Sequence, residues 1–166
     1  RNGAPMSNWD SDEPLRLAQQ ITLNYRFAGG YHASKFFRTL RGEQKILATK
    51  CPNGHVLLPP RPVCGLCNLP TNDNWVEVGP GASLAGYTVV YVPFIDPMTG
   101  VKRPVPYGFG LVRFDGCDTN VYHLIDETDP AKLRIGLPVE PVWKDESERT
   151  GSFADIRWFR PVEGAE

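Results

Sequence analysis

The stretch Lys50-Cys-Pro-Asn-Gly-His-Val-Leu-Leu-Pro-Pro-Arg-Pro-Val-Cys-Gly-Leu-Cys-Asn-Leu-Pro-Thr-Asn-Asp-Asn74 governs how the rest of the chain is read. It is rich in proline and has neither a helical nor a strand period. A run of about 25 residues without regular structure needs something to tie it down. Its cysteines supply the means. Cys64-Gly-Leu-Cys67 sets two thiols two residues apart, a knuckle that grips one tetrahedral ion from a single turn. Cys51 and His55 come from a second turn, with eight residues between His55 and Cys64. Cys51, His55, Cys64 and Cys67 are therefore the candidate metal ligands, and their softness suits zinc. Four protein ligands leave no position for water, so such an ion holds the fold and does no chemistry. The competing readings are free thiols around a loop histidine, or a redox Cys-x-x-Cys. The redox motif belongs at a strand-to-helix turn of a βαβ unit, and nothing of that kind surrounds Cys64.

Outward from this stretch the texture changes on both sides. Upstream, Tyr31 to Gln44 reads as a helix, with Phe36, Phe37 and Leu40 on one face. That face packs on its own domain or meets a partner subunit. Before it, Leu15 to Phe27 is ambiguous, though its second half alternates apolar with polar as a strand does. Downstream, Ser83–Phe94, Val105–Phe114, Thr119–Ile125, Leu137–Trp143 and Ala154–Pro161 read as five strands. Asp115-Gly116 marks a turn, and Asp129–Ile135 a short helix with Asp129 as N-cap and Pro130 in the first turn. Five strands with one short helix between the third and fourth suit a Greek-key barrel of the OB type. The expected architecture is mainly β. Residues 1–14 are a loose N-terminus, in which Arg1 to Pro5 precede Met6 and read as a fusion remnant. Residues 15–48 form a strand-and-helix arm, 49–76 a rubredoxin-like zinc ribbon, and 77–166 the barrel.

Composition narrows the function. The 166 residues include 16 Gly and 16 Pro, which favours turns and short strands over long helices. A net charge of −1 argues against a dedicated binder of phosphate backbones. No apolar run is long enough to cross a bilayer. The polar N-terminus reads as lacking a secretion signal, so clustered thiols fit a reducing, cytoplasmic setting.

With these residues in view, the chain resembles the zinc-ribbon plus OB-fold accessory proteins that partner thiolase-superfamily enzymes. The resemblance rests on Phe36 to Leu40 with Gly42, Cys51, and Leu58-Pro-Pro-Arg-Pro-Val-Cys64 with Cys67. It continues through Trp75-Val-Glu-Val, Gly86-Tyr-Thr-Val-Val, Pro106 to Gly116, and Leu133-Arg-Ile-Gly-Leu-Pro-Val139. It spans about Leu15 to Pro161. The family usually carries Cys-x-x-Cys in both knuckles. Here the second cysteine of the first knuckle is missing and His55 is the nearest replacement.

What the resemblance implies is a non-catalytic subunit of a hetero-oligomer, supporting the acyl-CoA site of a thiolase-fold catalytic partner. The implied reaction is thiolytic cleavage of a 3-oxoacyl-CoA, an aromatic one such as benzoylsuccinyl-CoA included, as in aromatic degradation. A steroid side-chain retro-aldolase complex is the alternative within the family. Arg61, Lys102 and Arg103 are candidates to meet CoA phosphates, because guanidinium and ammonium groups match phosphate oxygens. An ordinary solvated turn is the plainer reading of Lys102 and Arg103.

The chain shows little chemistry of its own. Cys117 sits between Asp115 and Asp118, which disfavour a thiolate. His123 lies in an apolar strand pattern and reads as a structural histidine, and His32 as a solvated or capping residue. A reading from another class is a free-standing OB-fold binder of single-stranded nucleic acid, with Tyr87, Tyr91 and Phe109 to stack bases. The charge balance opposes it.

Overall fold

In this computed structural model, residues 27–93, 95, 100, 102–162 and 164 are described. The strand expected within Leu15 to Phe27 falls outside them, apart from Phe27, which is exposed. The helix α1 spans Gly30–Glu43. Its buried positions Phe36 and Leu40 are four apart, one turn of one face. It ends where Gln44 turns left-handed at φ 54°.

Three short strands follow: β1 (Ile46–Lys50), β2 (Val56–Leu57) and β3 (Trp75–Val78). They form an antiparallel sheet in the order β2-β1-β3, with Thr49 opposite Leu57 and Ile46 opposite Val78. The link to the next strand is tight, because Gly79 has φ +81° and a Cβ there would meet the Phe114 ring at 3.1 Å. Then come β4 (Ala82–Val90), β5 (Tyr107–Phe114), β6 (Val121–Ile125), β7 (Pro138–Trp143) and β8 (Ile156–Pro161). They close a barrel in the order β4-β5-β6-β8-β7. The single parallel contact, β6 with β8, gives the Greek-key path. Alternation is visible along β6, where Val121, His123 and Ile125 point in while Tyr122 is exposed.

The helix expected over Asp129–Ile135 is one 3₁₀ turn at Pro130–Lys132, capped by the Asp129 carboxylate, which accepts from the Ala131 N–H at 3.0 Å. The cap and the proline were read correctly, but they start a single turn as readily as a helix. Phe36 and Leu40 correct another expectation. They are 1% and 0% exposed, in the chain's own core, so the face they define cannot meet a partner. Phe36 stacks on Phe153 from the loop before β8, with ring centroids 6.0 Å apart, and half-buried Phe37 packs against the same core. His32 is neither solvated nor a cap. Its ring stacks on Trp75 at 5.3 Å, tying α1 to β3.

One continuous core joins all three parts. It contains Phe36 and Leu40 from the helix, Ile46, Ala48 and Val78 from the small sheet, Leu58 just after β2, and Leu84, Val112, Phe114 and Phe159 from the barrel. Each such fully buried large apolar side chain stabilises the fold by roughly 1.5–3 kcal/mol. The turn after β5 adds polar staples. Val56 N–H donates to the Asp118 carboxylate (2.8 Å), and Leu58 N–H to the Thr119 hydroxyl (2.7 Å), which in turn donates to the Leu58 carbonyl.

Candidate functional site

Two tight turns carry the cysteine cluster. After β1 the chain folds back, with Gly54 N–H donating to the Cys51 carbonyl and Cys51 N–H to the His55 carbonyl, both at 2.9 Å. Gly54 makes this possible at φ +89°. In the second turn Asn68 N–H donates to the Cys64 carbonyl (2.9 Å) and Cys64 N–H to the Leu69 carbonyl (2.8 Å). The buried hydroxyls of Thr49 and Thr71 fix the segment between the turns by donating to the Arg61 carbonyl at 3.1 and 2.9 Å. Sequence reasoning passed over these two threonines. Only their burial reveals them, Thr49 on β1 and Thr71 at the end of the proline-rich loop.

The result is that one ligand atom from each of Cys51, His55, Cys64 and Cys67 lies within 4.8 Å of all the others. The edges of this cluster have the size of a zinc tetrahedron. Zinc–sulfur bonds of about 2.3 Å and a zinc–nitrogen bond of about 2.0–2.1 Å give S···S edges of about 3.8 Å and S···N edges of about 3.5 Å. Cys51 Sγ to Cys67 Sγ is 3.7 Å, and His55 Nδ1 lies 3.4 and 3.6 Å from Cys51 Sγ and Cys64 Sγ. The electrostatics agree with a cation. Burial pushes the Cys64 thiol up, but N–H groups of Leu66 and Cys67, the Cys67 thiol and His55 outweigh it and lower the group to about 6. Cys67 is helped by the Leu69 N–H, yet burial and the neighbouring Cys64 and Cys51 leave it raised. Crowded thiols of this kind share one cation more easily than they ionise separately.

A second feature is a groove of about 980 Å³ on the barrel wall. Lys102 and Arg103, from the long connection between β4 and β5, reach it, joined by Lys144 after β7 and Arg157 on β8. Arg61 does not line it and stays exposed on the cysteine loop, its guanidinium beside Gly65. Of the three aromatics named for base stacking, Phe109 lines the groove, while Tyr87 and Tyr91 are exposed elsewhere on the surface. His123 forms part of the groove's inner wall, with Nε2 3.3 Å from the Phe153 carbonyl and Nδ1 3.4 Å from that of Leu124. Burial holds its pKa below the usual histidine value, and Arg103 and Lys144 add to this against the pull of the two carbonyls. Cys117 is buried, and burial followed by the charges of Asp118 and Asp115 pushes its thiol up to about 11. Among the described residues, no helix is long and apolar enough to cross a membrane.

Comparison with known proteins follows the same division. Residues 38–69 match the family described as the ChsH2 rubredoxin-like zinc ribbon domain, and residues 75–144 the ChsH2 C-terminal OB-fold domain. A DUF35 domain-containing scaffold protein of Pyrococcus furiosus is 28% identical over 131 residues, covering 78% of this chain and 92% of its own length. Two solved structures share the fold. A DUF35-family protein of unknown function from Sulfolobus solfataricus has a TM-score of 0.55 at 22% identity, over 80% of this chain and 84% of that one. An Ltp2-ChsH2(DUF35) aldolase has a TM-score of 0.54 at 23% identity, over 82% and 98%.

Proposed function

Because the chain belongs to the ChsH2-type (DUF35) family of zinc-ribbon plus OB-fold proteins, we propose that it is an accessory subunit of a larger acyl-CoA enzyme. In this reading it assembles with a thiolase-fold partner in the cytoplasm. The partner carries the nucleophile and the bases. The observation that carries the proposal is the pairing of both family domains with a relative named as a scaffold, matched over 92% of that relative's length.

The geometry supports a supporting role rather than chemistry on this chain. Cys51, His55, Cys64 and Cys67 would hold zinc, and four protein ligands complete its shell. When bound, the ion cross-links the two turns and supplies no Lewis-acid site for substrate. Cys117 is a poor nucleophile with a pKa near 11. His123 is walled by two carbonyls and kept neutral.

For the reaction itself, we favour thiolytic cleavage of a 3-oxoacyl-CoA, aromatic substrates such as benzoylsuccinyl-CoA included, which follows from the sequence resemblance. A retro-aldol partner is the second reading, and the structural neighbour named as an aldolase favours it. Affinity isolation of the chain from its native cell, with mass spectrometry and assay of what accompanies it, tests the proposal. The expected result is one thiolase-fold protein in near-equal amount, with turnover in the complex and none by this chain alone. Turnover by the isolated chain, or its recovery without an enzyme, would overturn it. Released product separates the two reactions: thiolysis consumes free CoA and yields two thioesters, whereas the retro-aldol yields a carbonyl compound.

A further inference from the structure

Between the two ligands of the first knuckle the sequence reads Cys51-Pro-Asn-Gly-His55, and Asn53 and Gly54 are both exposed. Neither is needed to hold a metal. An asparagine followed by glycine is the pair most open to attack of the next backbone nitrogen on the side-chain amide, because glycine has no Cβ to obstruct the approach. Nothing lies within 4 Å of where a Gly54 Cβ would stand, so a ring formed there has room. Asn2-Gly3 is the only other such pair in the sequence.

The folded turn holds the reacting groups apart. Gly54 N–H donates to the Cys51 carbonyl at 2.9 Å, so the attacking nitrogen is engaged. Pro52 and Asn53 are the corners of this turn, and Asn53 stays out of the left-handed region, which is the type I arrangement. The second corner of such a turn has ψ near about 0°. That torsion places the Gly54 nitrogen beside the Asn53 main-chain nitrogen and away from the Asn53 side chain. Ring closure therefore requires the turn to open and the torsion to rotate.

A bound ion controls that opening. Both residues flanking the pair, Cys51 and His55, belong to the ligand cluster, with Sγ and Nδ1 3.4 Å apart. A tetrahedral ion clamps the two ends of the loop together. Without it the loop is tied by the Cys51 N–H bond to the His55 carbonyl and by the short pairing of β1 with β2, Thr49 with Leu57 and Lys50 with Val56. Exposed segments with so few ties open locally at little cost.

We propose that Asn53 is a modification site gated by the metal: zinc held by Cys51 and His55 preserves the asparagine, and loss of zinc commits the knuckle to deamidation. The Gly54 nitrogen bonds to Asn53 Cγ, the side-chain nitrogen leaves as ammonia carrying the proton that Gly54 gives up, and a succinimide closes. Water then opens the ring. Cleavage of the bond to Cγ gives aspartate, and cleavage of the bond to the original backbone carbonyl gives isoaspartate, whose main chain runs through Cβ and Cγ. Overall one water enters, one ammonia leaves, and nothing is oxidised or reduced. Isoaspartate lengthens the main chain by a methylene between two ligands that must meet one ion. The knuckle then cannot re-form, so a reversible loss of metal becomes a permanent one. None of this depends on the partner or on its reaction.

The test incubates the full chain under reductant, one portion zinc-loaded and one stripped by a chelator. Peptide mapping with mass spectrometry follows the exchange of NH₂ for OH at Asn53, apart from Asn2. The stripped chain converts at least about fivefold faster, the population factor of one net backbone hydrogen bond. Titration with zinc then shows the isoaspartate fraction failing to rebind, while Asn53→Asp, with the new charge on an ordinary backbone, rebinds. Stripped Asn53→Gln, whose longer side chain closes a ring far more slowly, still reloads after the same time. The proposal is overturned if Asn53 converts equally fast with and without zinc, or not at all in the stripped chain. It is also overturned if the isoaspartate chain rebinds zinc as wild type does, if Asn53→Asp fails to rebind, or if Asn53→Gln loses reloading as fast as wild type.

Discussion

Replacing His55 by alanine removes one of four ligands and tests whether the cysteine turns are held by an ion or by their own packing. The buried apolar residues of this end are few: Leu57 with Cys51 and Cys64, and half-buried Cys67 against them. Burying one leucine contributes roughly 1.5–3 kcal/mol. Fixing the backbone of a single residue costs roughly 1–2 kcal/mol. Leu57, together with Leu58 that reaches into the main core, therefore offsets the ordering of a few residues, whereas residues 51–74 number more than twenty. A structural zinc in a small domain supplies about 10–16 kcal/mol near neutral pH, which is the right scale. Loss of a direct ligand should weaken zinc by more than the roughly 10–100-fold that follows from disturbing a ligand's hydrogen-bond partner. Metal analysis should find one zinc per wild-type chain, and competition with a chromophoric chelator should show the weaker affinity of His55→Ala. Hydrogen exchange locates the effect. The amides of Cys51 and Cys64, bonded to His55 and Leu69, should lose protection, while those of β5 and β6, backed by the separate larger core, keep theirs. Wild-type affinity for zinc in His55→Ala would refute the reasoning, and so would a zinc-free wild type with residues 51–74 still protected.

Asp155, fully buried, accepts from the Thr150 and Gly151 N–H groups at 2.8 Å each and from the Thr150 hydroxyl. Burial raises its pKa, but these donors outweigh it and leave the group below the usual aspartate value. Its contribution is thus complete above the unfolded value of about 3.9 and fades as pH falls through the lower folded value. Asp155→Ala should cost about 3 kcal/mol near neutrality by stranding its donors, and Asp155→Asn should flatten the acid limb of melting temperature against pH. An unchanged limb would sink this account. Gly108→Ala should lower the urea midpoint by the equivalent of about 3 kcal/mol, since a Cβ there runs into the Glu127 and Ile125 carbonyl oxygens, which belong to backbone and cannot swing aside. Gly42→Ala, in open space on the helix, should raise it slightly, by about 0.5–1 kcal/mol. Cys117, with its thiol near 11, should be the slowest of the four cysteines to react with iodoacetamide once zinc is stripped, and mass mapping of the labelled chain would show the reverse order if the burial argument were wrong.

Much of this was legible because local chemistry decides it. Two cysteines with two residues between them, away from any strand-to-helix turn, suit a metal knuckle, and Val121 to Ile125 alternates as a strand with one wet face does. The barrel followed from the count of such strands. What escaped depends on distant contacts. β1 carries a buried threonine whose partner is the Arg61 carbonyl twelve residues on, so its pattern reads as broken alternation. The apolar face of α1 fits a core or a partner equally well on paper, and Phe153, more than a hundred residues later, is what covers it. The groove was half visible. Lys102 and Arg103 stood out as neighbours, but Lys144 and Arg157 look like ordinary surface charges until barrel closure brings them opposite.

The shared core has a geometric consequence. Leu58 and Ile46 of the ribbon, Phe36 of the helix and Phe114 of the barrel are packed together, and three residues alone separate β3 from β4. The chain therefore behaves as a ruler and not as two beads on a string. A surface gripped by the cysteine turns sits at a set distance and angle from whatever occupies the barrel groove, so docking at one end also sets the register at the other.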